Sequence, residues 1–182
     1  MMPFWYIAAL CTGLGCTQSP TPIHEVATIL DSVAKDPTQS KTLCTQIYPT
    51  SERSECILIG VDALKKQDLS LASSLCDMLS GSDRDECWFR LAEVQDDASL
   101  CKNAGQFQLD CTMHVLSRWL FRNPEASWTE MTSRARQYGV SPSSVEGETV
   151  LYRHVISSTE PMDLSKCEGL PNLDACTRAA KS

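Results

Sequence analysis

Leu75-Cys76-Asp77-Met78-Leu79-Ser80-Gly81-Ser82-Asp83-Arg84-Asp85-Glu86-Cys87 is one of four versions of the same sentence in this chain. The others run from Leu43-Cys44 to Glu55-Cys56, from Leu100-Cys101 to Asp110-Cys111, and from Lys166-Cys167 to Ala175-Cys176. The residues between partners number 11, 10, 9 and 8. Leucine precedes the first cysteine in three copies and an acid precedes the second in the same three. A breaker sits inside each of the last three intervals: Gly81, Gly105 and Pro171-Asn172. Each unit therefore reads as a short helix ending near a cysteine, a turn, and a helix starting near a cysteine. Cysteines flanking such a turn can come within the roughly 4.4–6.8 Å Cα separation of a disulfide. The expected fold class is all-α, a short array of disulfide-stapled helix-turn-helix hairpins.

The periodicity around the pairs agrees. Ile23, Val26, Ile29 or Leu30, and Val33 fall on one helical face, which Asp36-Pro37 ends. Thr50-Ser51 reads as a cap for a helix through Cys56, Leu58, Val61 and Leu64. Ser82-x-x-Asp85 has the form of a capping box. Pro124 reads as the start of a helix carrying Trp128, Met131, Ala135 and Tyr138 on one stripe, ended by Gly139. The run Val150-Leu151-Tyr152-Arg153-His154-Val155-Ile156 is too short for periodicity to separate helix from strand, and its helical surroundings favour helix.

With 182 residues and 42% apolar content, residues 23–182 read as one helical-repeat domain with a Cys-free insert at about 123–165. The net charge of −7 argues against a nucleic-acid partner. That charge is uneven. Residues 17–111 hold 15 acids and 8 bases, whereas 112–156 hold 4 acids and 5 bases, every base an arginine. Eight patterned cysteines in an exported chain imply disulfides; no two of them stand in the C-x2-C spacing of a zinc site.

Residues 1–16, MMPFWYIAALCTGLGC, form an apolar start followed by small residues, as in an export signal. Gly13-Leu14-Gly15-Cys16 resembles a bacterial lipobox, which implies lipidation of Cys16 and a membrane anchor. It departs from that pattern in having Gly13 and Leu14 where leucine and a small residue are usual. Residues 17–22 then read as a tether. The Cys101–Cys111 spacing also resembles that of twin C-x9-C hairpin proteins, whose cysteines pair across two helices, so Cys76–Cys111 and Cys87–Cys101 stay open beside the sequential pairs Cys44–Cys56, Cys76–Cys87, Cys101–Cys111 and Cys167–Cys176. The repetition of helix-turn-helix units over about 40–122 and 165–180 resembles tetratricopeptide and Sel1-like arrays in architecture only.

No catalytic motif is present. The serines lie outside G-x-S-x-G and Ser-x-x-Lys contexts. His114 and His154 lack a recognisable third metal ligand, and His114 reads as a partly exposed histidine beside a buried face. Glu86, Glu93 and Asp110 read as helix-start acids. Trp88, Phe89, Trp119 and Trp128 read as core. The remaining signal is Arg118, Arg122, Arg134 and Arg136, with Trp128 at the rim, in the half without staples. Arginine and tryptophan are the residues most enriched in binding hot spots. Arg134 and Arg136 point about 200° apart on a helix, so one docking face can use at most one of them.

The expected function is a non-enzymatic cell-envelope lipoprotein that serves as a protein-interaction or structural module. It needs no cofactor or metal, and its partner is an envelope protein or an anionic envelope component. Two other readings stand beside it: a secreted or anchored inhibitor of a hydrolase, and a metal-dependent accessory enzyme.

Overall fold

The computed structural model of the protein describes residues 19–157 and 163–180. The signal, Cys16 and the start of the tether lie outside them. Among the described residues nine α-helices follow one another, with no strand. They are α1 (Ile23–Lys35), α2 (Ser40–Leu43), α3 (Thr50–Leu64), α4 (Leu69–Cys76), α5 (Gly81–Gln95), α6 (Gln108–Arg122), α7 (Trp128–Gln137), α8 (Val145–Ser157) and α9 (Leu173–Ala179). All four staples pair sequentially, with Cα separations of 5.6, 5.6, 5.6 and 5.9 Å. The crossed pairing of Cys76 with Cys111 is not adopted. The reason is local: Gly81 and Gly105 take φ of +56° and +47°, a left-handed turn that reverses the chain between partners.

The first limb of the repeat shortens from the second copy onward. Copy two opens on the helix α4, but copies three and four open on single 3₁₀ stretches, Ala98–Asn103 and Leu164–Cys167. An aspartate at the start of each, Asp97 and Asp163, accepts the backbone N–H two residues on. Such a turn supplies one cysteine in the right place without a full helix.

Three other local expectations are corrected. The α3 N-cap position is Pro49, not Thr50-Ser51, and no side chain caps it. Ser82 and Asp85 form no capping box. Asp85 instead accepts the backbone N–H of Gln106 at 3.2 Å, tying α5 to the turn of the next unit. The helix expected from Pro124 begins at Trp128, where Ser127 and Glu130 form the capping box. Thr21, near the end of the expected tether, is fixed to the array: its N–H donates to the Tyr48 carbonyl and its hydroxyl accepts the Tyr48 N–H, both at 2.8 Å.

Apolar burial falls into three consecutive cores. The first, Val33 to Val115, contains the first three staples and the buried Trp88. The second joins Leu116 and Leu120 of α6 to Met131 and Ala135 of α7 and Leu151 of α8. The third joins Tyr152 and Ile156 of α8 to the last staple. Thus α6 and α8 each serve two cores, because their buried residues shift around the helix as it advances. Trp128 stacks on Tyr152, with centroids 4.7 Å apart, and bridges the second and third cores. The four staples place the folded chain in an oxidising, exported environment. Among the described residues no helix is long and apolar enough to cross a membrane.

Candidate functional site: an arginine–aromatic face

The chain leaves α5 without glycine. Asp96 occupies the left-handed position at φ +54°, which aspartate tolerates better than most residues because its short side chain bonds locally. This aims its carboxylate at α6. Arg122 donates to Oδ2 through Nη1. Arg118, one turn earlier, brings Nε within 3.5 Å of Oδ1, in ion-pair range but outside hydrogen-bond alignment, so Oδ1 is enclosed without a hydrogen-bond partner. Both guanidiniums stay close to half exposed. Arg122 holds the Asp96 carboxyl below its ordinary value, and Asp96 raises Arg122 in turn.

Arg134 reaches the same face from α7. Its guanidinium lies 4.9 Å from the Trp119 ring centroid and 5.6 Å from that of Tyr138. Tyr138 also lies in the electrostatic reach of Arg122. Three arginines, two aromatic rings and one carboxylate therefore form a connected set. Cation–π contact and the Arg134–Gln137 hydrogen bond at 3.0 Å fix the Arg134 fork in position.

Arg136 does not join them. It lines a separate groove with Trp128, Tyr152 and Asn172. Trp128 is accordingly remote from Arg118 and Arg122 in function, its ring committed to Tyr152. The helical geometry that separates Arg134 from Arg136 in the sequence thus also separates them in space, and Arg134 is the one brought to the cluster. Asp96 and Tyr138 were absent from the sequence-based set. The signal for Asp96 was Gln95-Asp96-Asp97, a helix end with an acid where glycine is usual.

The other candidates have local partners. His114 Nε2 lies 3.1 Å from Glu93, and its half-exposed ring meets Phe89 edge-on at 5.7 Å. Glu86 pairs with Arg90 at 2.6 Å. Among the described residues no three His, Cys, Asp or Glu side chains converge on a common point.

The Asp96 knot makes a testable contribution to stability. Its folded pKa is lowered, so its stabilisation is fully present above the ordinary 3.8 and is lost as pH falls through the lower folded value. Asparagine keeps the left-handed backbone but not the charge. Asp96→Asn is expected to cost about 1 kcal/mol at neutral pH and low salt. In urea titrations that gap should close toward pH 2; an equal gap at both pH values rules out the ion pair as its source.

The fold and this face together define a disulfide-stapled all-α array carrying a basic–aromatic surface. Comparison of the chain with protein-family models, curated proteins and solved structures finds no match.

Proposed function

We propose that this protein is a non-enzymatic cell-envelope lipoprotein, anchored through Cys16, that docks an envelope protein or anionic envelope component on the face formed by Arg118, Arg122 and Arg134. The observation that carries this reading is the closing of Arg118 and Arg122 on the single carboxylate of Asp96, with Arg134 held over the Trp119 and Tyr138 rings. One acid leaves the cluster with excess positive charge, and arginine's planar fork matches carboxylate or phosphate bidentately. The rings supply desolvated walls of the kind that surround binding hot spots. The staples hold the backbone of the array fixed, which lowers the ordering cost of docking.

Charge reversal tests the docking face. Arg134→Glu and Arg122→Glu are each expected to lower capture of the partner from envelope extract at least roughly tenfold, whereas Arg136→Glu changes it less than about twofold. If the first two variants bind fully while charge reversal at Asp83 and Glu86, at the start of α5, abolishes binding, the site lies on the stapled repeats instead.

Anchoring has its own test. Cys16→Ser is expected to abolish acylation and leave the precursor or a soluble form, read by mass spectrometry of the mature chain. An unlipidated wild-type protein cleaved at another position removes the anchor from the proposal and leaves the docking face untouched.

A further inference from the structure

The apolar stripe of α1 runs one turn past the core that it fills. Val26, Ile29 and Leu30 pack against the first core and Val33 is fully buried. Ile23, the first residue of the helix and the fourth member of the stripe, is 87% exposed. Two residues earlier, the backbone and hydroxyl of Thr21 bond to Tyr48, a second large side chain left exposed, at 37%. The Thr21 hydroxyl also reaches the Gln46 carbonyl at 3.4 Å. These bonds join the start of α1 to the loop before α3 as one end of the array.

The length of chain before this end limits what it can face. Five residue steps separate Thr21 from Cys16. At full extension they span at most about 18 Å. A domain of about 160 residues has a radius of gyration near 15 Å, and so a breadth about twice that reach. A lipid on Cys16 therefore keeps the Thr21 end against the bilayer and cannot serve the opposite end equally well. The side chains exposed there suit an uncharged interface. Ile23 is apolar, and tyrosine joins an apolar ring to a polar tip, the combination enriched where membrane meets water. The charged neighbours give anionic lipid no purchase. Glu25 and Glu52 are exposed acids, His24 lies 4.0 Å from Glu25, and Arg53 turns its Nε to the Ile47 carbonyl at 3.0 Å.

We propose that the Thr21 end is a membrane-facing pole, which lays Ile23 and Tyr48 into the headgroup boundary of the zwitterionic bilayer that holds the Cys16 lipid. The proposal rests on the anchor at Cys16 and uses no residue of the arginine–aromatic face. The lipid holds the chain at the membrane, and the pole sets its orientation there.

A chain beginning at Cys16 retains every described residue, and once its four pairs are oxidised Cys16 is its remaining thiol. Coupling that thiol to maleimide-bearing phosphatidylcholine vesicles supplies an anchor independent of cellular acylation. Ile23→Trp should then add fluorescence of which brominated phosphatidylcholine quenches more than about half, the depth of an interfacial side chain being about 5–10 Å. Leu173→Trp, on α9 at the other end of the chain, should add fluorescence that the same lipid quenches less than about a tenth. Ile23 and Leu173 are both exposed, so neither substitution disturbs a core. Adding Tyr48→Glu to Ile23→Trp should lower its quenching at least about twofold. Absent quenching at position 23, or equal quenching at positions 23 and 173, overturns the pole and leaves the anchor standing. An unacylated native chain, read by mass spectrometry, removes the anchor and the pole with it, so the two failures are told apart.

Discussion

Joint replacement of Cys76 and Cys87 by alanine is expected to lower stability by about 3 kcal/mol, the chain-entropy value for a loop of this length, with the loss of two buried sulfurs adding to it. Both cysteines are fully buried in the largest core, beside Leu75, Trp88 and Leu91. The corresponding replacement of Cys167 and Cys176 opens a loop only slightly shorter, with a sequence separation of 9 against 11, so the entropy terms differ by only about 0.2 kcal/mol. The consequences nevertheless differ in kind. The last staple sits in a small core whose other buried members are Tyr152, Ile156, Ala175 and Ala179. Its loss should free α9 locally, while loss of the second staple should destabilise α4, α5 and everything packed on them. Urea denaturation followed by tryptophan fluorescence reads the first effect. Hydrogen exchange reads the second, through α9 amides that open while those of α5 remain protected. If both double variants unfold globally with the same midpoint shift, the three cores are one cooperative unit.

Gly60→Val is expected to be at least as damaging. Gly60 lies within α3, where glycine costs up to about 1 kcal/mol relative to alanine, so a helix-propensity argument alone favours replacement. Packing reverses the sign. A Cβ at this position would stand 2.6 Å from Ser40 Cβ and still closer to its hydroxyl, with Leu75 Cδ1 at 3.3 Å. Ser40 cannot turn away easily. It is fully buried, and its hydroxyl donates to the Pro37 carbonyl at 2.6 Å. The close approach of α2 and α3 is what places Cys44 against Cys56, so separating them acts on the first staple as well. Overpacking costs about 1–3 kcal/mol for ordinary core insertions, and two added methyl groups beyond Cβ place valine at or above the top of that range. Gly60→Ala should show a smaller loss in the same direction. Thermal unfolding of the oxidised protein checks both; a stabilised Gly60→Ala variant means that α2 moves aside without resistance.

These two sites differ in how visible they were before the fold. The staples were legible because a disulfide is a short-range event: partners 9 to 12 residues apart, with a breaker between them, have few alternative geometries. Helices α1, α3 and α5 were legible for a related reason, since breaker and apolar spacing lie within one segment, although the caps expected for α3 and α5 do not form. Gly60 was not. Nothing in Ile57-Leu58-Ile59-Gly60-Val61 says that Ser40 will rest on it, because that contact joins residues 20 apart across a turn. Asp85 shows the same limit from the other side. Its spacing from Ser82 matched a local cap, but its carboxylate went to Gln106, whose N–H needed a partner at the next turn.

The candidate surface divides in the same way. The sequence by itself determined the all-α class, the oxidised state of the fold, the arginine-only composition of residues 112–156 and the impossibility of Arg134 and Arg136 sharing a face, since each follows from local spacing, helical geometry or residue chemistry. Only the tertiary structure decided that Arg118 and Arg122 close on Asp96, that Arg134 comes to them over Trp119 and Tyr138, and that Arg136 and Trp128 belong to another groove. Those assignments depend on how α5, α6 and α7 dock. Docking is set by which side chains fill the cores between helices, a property of residues distant in the chain that no single segment records.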